Sequence, residues 1–405
     1  MLKFERGVGI KQGIRDFKAN PANISAGITG MVFSVSGIFI IYSNIASDAG
    51  LNQAQALSWL MTGLFIGALL SIGFSLHYKM PIVFTASLPA MALVGSLYHV
   101  FDISTMVGGF IMSGVLILLV GLSGLMDFLK RILPIPIVMG MISGIFMSYA
   151  LKIVFAVQSD LLVCGLVVLI YFLVMGFLPK VPPQMLALAA AVVLVLLFRP
   201  LSLPAEGLEI GFAPPIFVMP TFSIEAFFSI SIPIALLALT DCVKGFGVLK
   251  ANGYEAPMNS LVTASGLATM LAGFSMSHAI NFAGVGTAIV ATDAGGAREY
   301  RYAASVMKNI FSVCLAFTVG LIYPLLNSLP VTVSDVLAGL AMLSLFISSL
   351  KAAYGSGKFV MGSFVAMAVG LADVTIGSIG APVWALLAGV LVSLLVERKD
   401  FSSRG

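Results

Sequence analysis

Long apolar runs interrupted by Gly, Pro or charged positions recur along the whole chain and predict an all-α polytopic membrane protein. Fourteen such segments can be drawn, at roughly 24–44, 55–76, 85–98, 104–125, 132–155, 161–178, 184–199, 226–249, 258–275, 281–292, 302–325, 331–350, 357–374 and 381–397. Two are too short to cross a bilayer. The run Asn281–Thr292 makes about 18 Å of helix and Thr85–Tyr98 about 21 Å, against a hydrocarbon core of about 30 Å. Each is therefore expected to be a half-helix that starts inside the protein and leaves backbone N–H groups there.

The longest stretch without a spanning pattern, Pro200 to Thr221, holds five prolines together with Glu206 and Glu209, and it lies near the middle of the chain. Seven segments precede it and seven follow. Because seven is odd, the second set must enter the membrane with the opposite orientation, which is the arithmetic of a 7+7 inverted repeat. Direct support is weak: Gly50 and Gly63 match Gly253 and Gly266 at an offset of 203, and residues 81–87 match 279–285 at an offset of 198. The expected organisation is a cytoplasmic segment 1–20, a first repeat 21–199, an extracytoplasmic linker 200–225, a second repeat 226–397 and a cytoplasmic tail 398–405.

Composition agrees with the pattern. Charged residues are 9% of the chain, where soluble domains carry about a quarter. With the N-terminus placed in the cytoplasm, 19 of the 21 Lys and Arg fall on the inner side, and only Lys152 and Arg199 fall outside. The net charge of +4 thus reflects topology, and nucleic acid is not an expected partner. The first twenty residues have five basic side chains and no apolar core, so they do not read as a secretory signal. Cys164, Cys242 and Cys314 are scattered singly, and neither a metal-ligand spacing nor a nucleotide-binding glycine motif occurs. No cofactor, metal or enzymatic reaction is expected, since no nucleophile–base pair is visible.

Candidate chemistry gathers at the short segments and at one carboxylate. Asp241 lies about fifteen residues in from the outer end of its segment. It is either a proton carrier, neutral when shielded and ionised when the site opens to water, or half of an ion pair with Lys244 one turn on. Gly284 and Gly286 allow backbone to approach a ligand closely. Thr85, Ser87, Asn281 and Thr287 offer polar groups near the half-helix starts, or else satisfy local backbone. His278 is placed either at a proton-shuttling position or in a boundary loop. Asp48, Asp102, Asp127, Asp160 and Asp335 read as helix caps or solvated charges, and Pro89 and Pro233 as kinks.

Two second-half motifs, Lys244-Gly-Phe-Gly-Val-Leu-Lys-Ala-Asn-Gly-Tyr-Glu-Ala-Pro257 and Ser277-His-Ala-Ile-Asn-Phe-Ala-Gly-Val-Gly-Thr-Ala-Ile289, resemble those of the benzoate:proton symporter family. In the first half, Ser58-Trp59 and Leu76-His-Tyr-Lys-Met-Pro-Ile-Val83 are similar to it too. The resemblance implies an inner-membrane symporter related to uracil permeases and sulfate-type anion transporters, with short strands leading into segments three and ten. It implies a proton-coupled carrier of benzoate or a related aromatic carboxylate. The residues' own reading, taken with this class, makes Thr85, Ser87, Asn281, Gly284, Gly286 and Thr287 the expected substrate-binding residues and Asp241 and His278 the expected proton-coupling residues. The chain departs from the family where Phe84-Thr-Ala-Ser-Leu-Pro-Ala90 replaces an Ala-Trp-Ser-Thr-Pro-Gly-like run and Asp241-Cys242 replaces Gln-Asn. Alternatives left open are a nucleobase or inorganic-anion carrier of the same fold and an anion channel; a homodimer is compatible with any of them.

Overall fold

The computed structural model describes residues 4–125, 134–178, 181–199, 211–376 and 379–402. Residues 200–210 of the expected linker, and Asp127, lie outside them. A short helix α1 (Ile10–Arg15) precedes α2 (Pro21–Asp48) and α3 (Gln53–Tyr78). Both long helices start on capping boxes, Asn20 with Asn23 and Asn52 with Gln55, in which each asparagine takes a backbone N–H three residues on.

Strand β1 (Phe84–Ala86) leads into α4 (Leu88–Leu97), and α5 (Ile103–Ser123) follows. Next come α6 (Ile135–Ser159), α7 (Leu161–Phe177) and α8 (Pro183–Phe198). Helix α9 (Ile232–Ala251) is entered through a π-helical turn, Phe227–Ser231. Pro233 has no N–H to give the Ser229 carbonyl, which is the local reason for the irregular turn. Beyond α10 (Met258–Gly273), strand β2 (Ile280–Phe282) leads into α11 (Gly284–Val290). The chain closes with α12 (Arg301–Ala316), α13 (Val319–Asn327), α14 (Val331–Tyr354), α15 (Val360–Ala372), α16 (Ala381–Val396) and α17 (Arg398–Ser402).

Among the described residues five helices are long and apolar enough to cross a membrane, and the α12–α13 pair, bent by 68°, makes a sixth when taken as one span. The expected single segment 302–325 is therefore broken. Phe317 and Thr318 close α12 with i to i−3 bonds, and the Thr318 hydroxyl donates to Leu315 O at 2.7 Å, drawing off the carbonyls a continuing helix would use. Pro89 does not kink a helix; it sits in the first turn of α4, where a missing N–H costs nothing.

Small residues set the packing. A Cβ on Gly114 or Gly266 would strike the backbone of the facing helix, so α5 and α10 touch main chain to main chain. Glycines 140 and 144 of α6 do the same against α15. In lipid, where apolar contact with a neighbour gains little over contact with solvent, such close approach is what holds helices together.

The charges sort by position. Lys152 pairs with Asp335 at 3.0 Å and Asp48 at 3.7 Å, and Arg199 with Asp160 at 2.8 Å, so carboxylates meet both basic residues expected on the outer side. Asp160 also caps α7. Lys308, counted from the sequence with the inner-flank residues, is 3% exposed and lies two turns inside α12.

Candidate functional site: a cavity beside paired strands

Strands of three residues cannot hold themselves together, and the surrounding helices supply what they lack. The two pair antiparallel, with Phe84 opposite Phe282, Thr85 opposite Asn281 and Ala86 opposite Ile280. Their outer edges are met by hydroxyls. On α3, Ser71 Oγ accepts from Phe84 N at 2.7 Å and Ser75 Oγ from Ile82 N at 3.2 Å. On α10, Ser265 Oγ accepts from Phe282 N at 3.0 Å and Thr269 Oγ1 from Ile280 N at 3.0 Å. Each helix uses an i, i+4 pair, one turn apart on one face. Backbone polar groups deep in the fold are thereby satisfied, as a lipid-embedded protein requires.

Against this ribbon lies a cavity of about 220 Å³. That is below the roughly 300–1,000 Å³ of sites for drug-sized ligands, so its occupant is a smaller molecule. Its walls are mostly apolar, with Ile38, Met139, Ile142 and Phe146 among them. The polar groups are few: Thr85 from β1, Asp241 and Lys244 from α9, Gln184 from α8, and Ser344, Ser348 and Ser349 from α14. Asp241 is 8% exposed, and its Oδ2 accepts from Asn281 Nδ2 at 3.3 Å. The ion pair read as one alternative for Asp241 is not formed: among the described residues no bridge joins it to Lys244.

Of the substrate and proton-coupling candidates, Thr85, Gly286 and Asp241 line the cavity, and Ser87, His278, Asn281, Gly284 and Thr287 do not. Ser87 is the N-cap of α4, its Oγ taking Ala90 N at 3.4 Å. Asn281 is buried and holds Asp241 while its own Oδ1 has no partner among the described residues. Thr287 is buried, and its hydroxyl has no partner among the described residues. Gly284 packs on α9, where an added Cβ would come 2.8 Å from Lys244 Cβ.

His278 is not in a boundary loop. It is fully buried, accepts from Trp59 Nε1 at Nδ1 (3.1 Å), and through Nε2 meets Ser87 O at 3.1 Å. A ring nitrogen that accepts from an indole carries no proton, so the other must donate to the carbonyl; the ring is neutral with both nitrogens engaged. Tyr42 and Tyr98 pack on the same indole, with centroids 4.2 and 6.0 Å away. This aromatic cluster fills the space just beyond Thr85 and Ala86. The cavity instead approaches the bundle end where α9 and α14 finish and α8 begins.

Sequence reasoning missed Gln184, the serines of α14 and the lining role of Lys244. Gln184 follows two prolines at the start of an apolar run and reads as an interfacial residue; its signal is that it is the lone amide in that run.

Comparison with known proteins accords with this architecture. A family described as "Benzoate membrane transport protein" matches residues 17–395. The chain is 28% identical over 330 residues to the benzoate membrane transport protein of Acinetobacter baylyi, covering 81% of this chain and 83% of that one. It is 25% identical over 397 residues to the inner membrane protein YdcO of Escherichia coli, covering 96% of this chain and 100% of that protein. Among solved structures, the transmembrane domain of the cyanobacterial bicarbonate transporter BicA superposes with a TM-score of 0.62 at 14% identity, over 96% of this chain and 100% of that one. Murine Slc26a9, an anion transporter solved in an inward-facing state, gives 0.61 at 15% identity, over 96% of this chain and 71% of that one. These two likenesses concern the fold.

Proposed function

The chain belongs to the benzoate membrane transport protein family, and from that premise we propose that it is a proton-coupled inner-membrane symporter of a small organic anion, benzoate or a related aromatic carboxylate. The observation that carries this reading is the make-up of the cavity. Apolar side chains surround space for one small molecule, and the ionisable groups lining it are one carboxylate and one ammonium. A ring needs the first, and an anion that travels with a proton needs the second.

The coupling follows from elementary electrostatics. Two like charges about 6 Å apart repel by roughly 3 kcal/mol at an effective dielectric of 20, about a hundredfold in affinity. An ionised Asp241 therefore opposes a bound carboxylate. Its neutralisation by a proton removes that opposition, and proton and substrate favour each other's binding. His278, neutral and engaged at both nitrogens, is assigned to holding Ser87 and Trp59 in place and not to carrying the proton.

The architecture proposed with this function is fourteen spans in a 7+7 inverted repeat, both termini cytoplasmic, with the repeats at 21–199 and 226–397. Supporting it is the local two-fold pattern at the strands, where Ser71 and Ser75 serve β1 as Ser265 and Thr269 serve β2.

The test is uptake into proteoliposomes under an imposed proton gradient, with aromatic acids, nucleobases, bicarbonate, chloride and sulfate offered separately. Saturable, gradient-dependent uptake of benzoate is expected. The inorganic-anion reading, favoured by the fold shared with BicA and Slc26a9, predicts uptake of bicarbonate, chloride or sulfate instead. Flux that neither saturates nor follows the proton gradient would mean a channel.

A further inference from the structure

The lining of the cavity includes one cation, Lys244, and among the described residues no hydrogen bond or ion pair holds its ammonium. Lys244 sits one turn after Asp241 on the same face of α9, and both side chains line the cavity. Its stem is fixed, because Lys244 Cβ lies against Gly284 at the start of α11. The residue is exposed. A second polar group in the lining is Gln184 of α8, which is 9% exposed and whose shielded Oε1 has no partner among the described residues. An amide carries a donor and an acceptor, and a half-turn about its last torsion exchanges them. The NH2 end of that amide is the end that can donate to a carboxylate.

We propose that Lys244 is the substrate's counter-ion: without substrate its charge balances that of Asp241 across the cavity with no contact between them, and with substrate its ammonium pairs with the carboxylate, on which the Gln184 amide closes from a different helix. The charge count supports this role. An empty cavity with Asp241 ionised and Lys244 protonated is neutral. A loaded cavity with Asp241 protonated, Lys244 protonated and one carboxylate is neutral too. Loading takes one proton from water onto Asp241 and one anion onto Lys244; no bond to carbon changes. Either event alone leaves an unbalanced charge beside apolar walls, which is why the two go together.

The nearest other ionisable side chain on α9 is Cys242, a buried thiol beside Asp241 whose Sγ lies 3.9 Å from Ser265 Oγ and which does not line the cavity. The elements facing the pair contribute Thr85 from β1, Asn281 from β2, Gln184 from α8, and Ser344, Ser348 and Ser349 from α14. Among the described residues Asp241 and Lys244 are the ionisable groups in the lining. Because the ammonium and the amide belong to different walls, one bridging carboxylate draws those walls together.

This assignment rests on the reading of the cavity as an aromatic-carboxylate site, and the experiment separates the two. Equilibrium binding of benzoate and of its neutral isostere benzamide is measured on the purified full-length protein from mildly acidic to mildly alkaline pH. Lys244→Gln is expected to weaken benzoate about a hundredfold and leave benzamide within about threefold, Lys244→Arg to stay within about tenfold of the parent, and Gln184→Leu to lose about tenfold. Asp241→Asn should bind benzoate with no pH dependence and still lose about a hundredfold when Lys244→Gln is added. If a Lys244 variant does not fold, acetylation of Lys244 in the parent, followed by mass spectrometry, serves instead, and benzoate should protect it. Undiminished benzoate binding by Lys244→Gln, equal loss of benzamide, or absence of protection overturns the counter-ion role and leaves the transport reading standing. Parent protein that binds no aromatic acid overturns both.

Discussion

The two strand–helix units that meet at the cavity, residues 82–97 and 280–290, share a hydrogen-bonding plan and differ in how their helices begin. Both strands lean on hydroxyls one turn apart on a neighbouring helix. But α4 is closed by its own chain, with Ser87 capping it and Pro89 in its first turn, whereas α11 starts at Ala283, which has no side chain to cap it. The first helical residue is Leu88 in one unit and Gly284 in the other, and the glycine lets α9 press its Lys244 stem against the turn. A symmetric frame thus carries asymmetric chemistry. Both units wall the cavity, and the second is also packed on the helix that bears both charges of its lining.

Five measurements break or sharpen that contrast. If the halves enter the membrane in opposite senses, cysteines at Ser47 and Ala251, both exposed just before equivalent turns, will label from opposite sides of the membrane. Labelling from one side would end the two-fold relation. Next in size is Asp241→Asn, which keeps the shape and the bond from Asn281 but cannot titrate. It should exchange substrate across the membrane as the parent does while accumulation driven by a pH gradient falls to background. Accumulation at the parent level would remove Asp241 from coupling.

Gly284→Leu should then reduce uptake more than tenfold and destabilise the protein by about 1–3 kcal/mol, since the new Cβ meets Lys244 Cβ at 2.8 Å and Gly245 N at 3.0 Å. Uptake assays with thermal unfolding check it, and parental values for both would mean that the α9–α11 contact has slack. Trp59→Phe leaves His278 Nδ1 without a donor in a buried site, a loss of about 1–3 kcal/mol. The melting temperature should drop while the pH profile of uptake keeps its shape; a shifted profile would return His278 to the proton path. Smallest is the capping contrast. Ser87→Ala should cost about 1 kcal/mol, whereas Ala283→Gly should cost nothing through capping, because alanine is the poorer N-cap and the second helix has no cap to lose. Equal losses in calorimetry would show that the two starts are alike after all.

Much of this was legible in the chain. Spans announce themselves by length, and the two interrupted elements by their shortness, because a bilayer sets a minimum that residues 85–98 and 281–292 do not reach. Asp241 was visible because a carboxylate inside an apolar run is costly enough to need a reason. What the sequence hid is orientation. Three-residue strands are too short to print a period of two, so Thr85 and Asn281 looked equivalent; in the structure one lines the cavity and the other sits behind Asp241. Ser87 stood at the expected depth but spent its hydroxyl on a helix cap. The pairing of Trp59 with His278 spans 219 residues and has no local trace. Gln184 and the α14 serines come to the cavity only through the packing of helices far apart in the chain.

The segment ahead of α2 is fastened at several points: Glu5 accepts from Asn259 N and Ser260 N at the start of α10, Gly9 N donates to His77 O, and Asp16 pairs with Lys79 at 2.9 Å. Hydrogen bonds from Lys79 and Gln12 hold the Asp16 carboxyl below the ordinary carboxylate range. Such a group contributes fully above its unfolded pKa of about 3.9 and stops contributing only as pH falls through its lowered folded value. Throughout the mildly acidic to neutral range in which a transmembrane proton gradient operates, this clasp therefore stays shut. The molecule carries two carboxylate devices with opposite temperaments: a fastening that ignores the gradient, and, in the proposed cycle, a single site at Asp241 that answers to it.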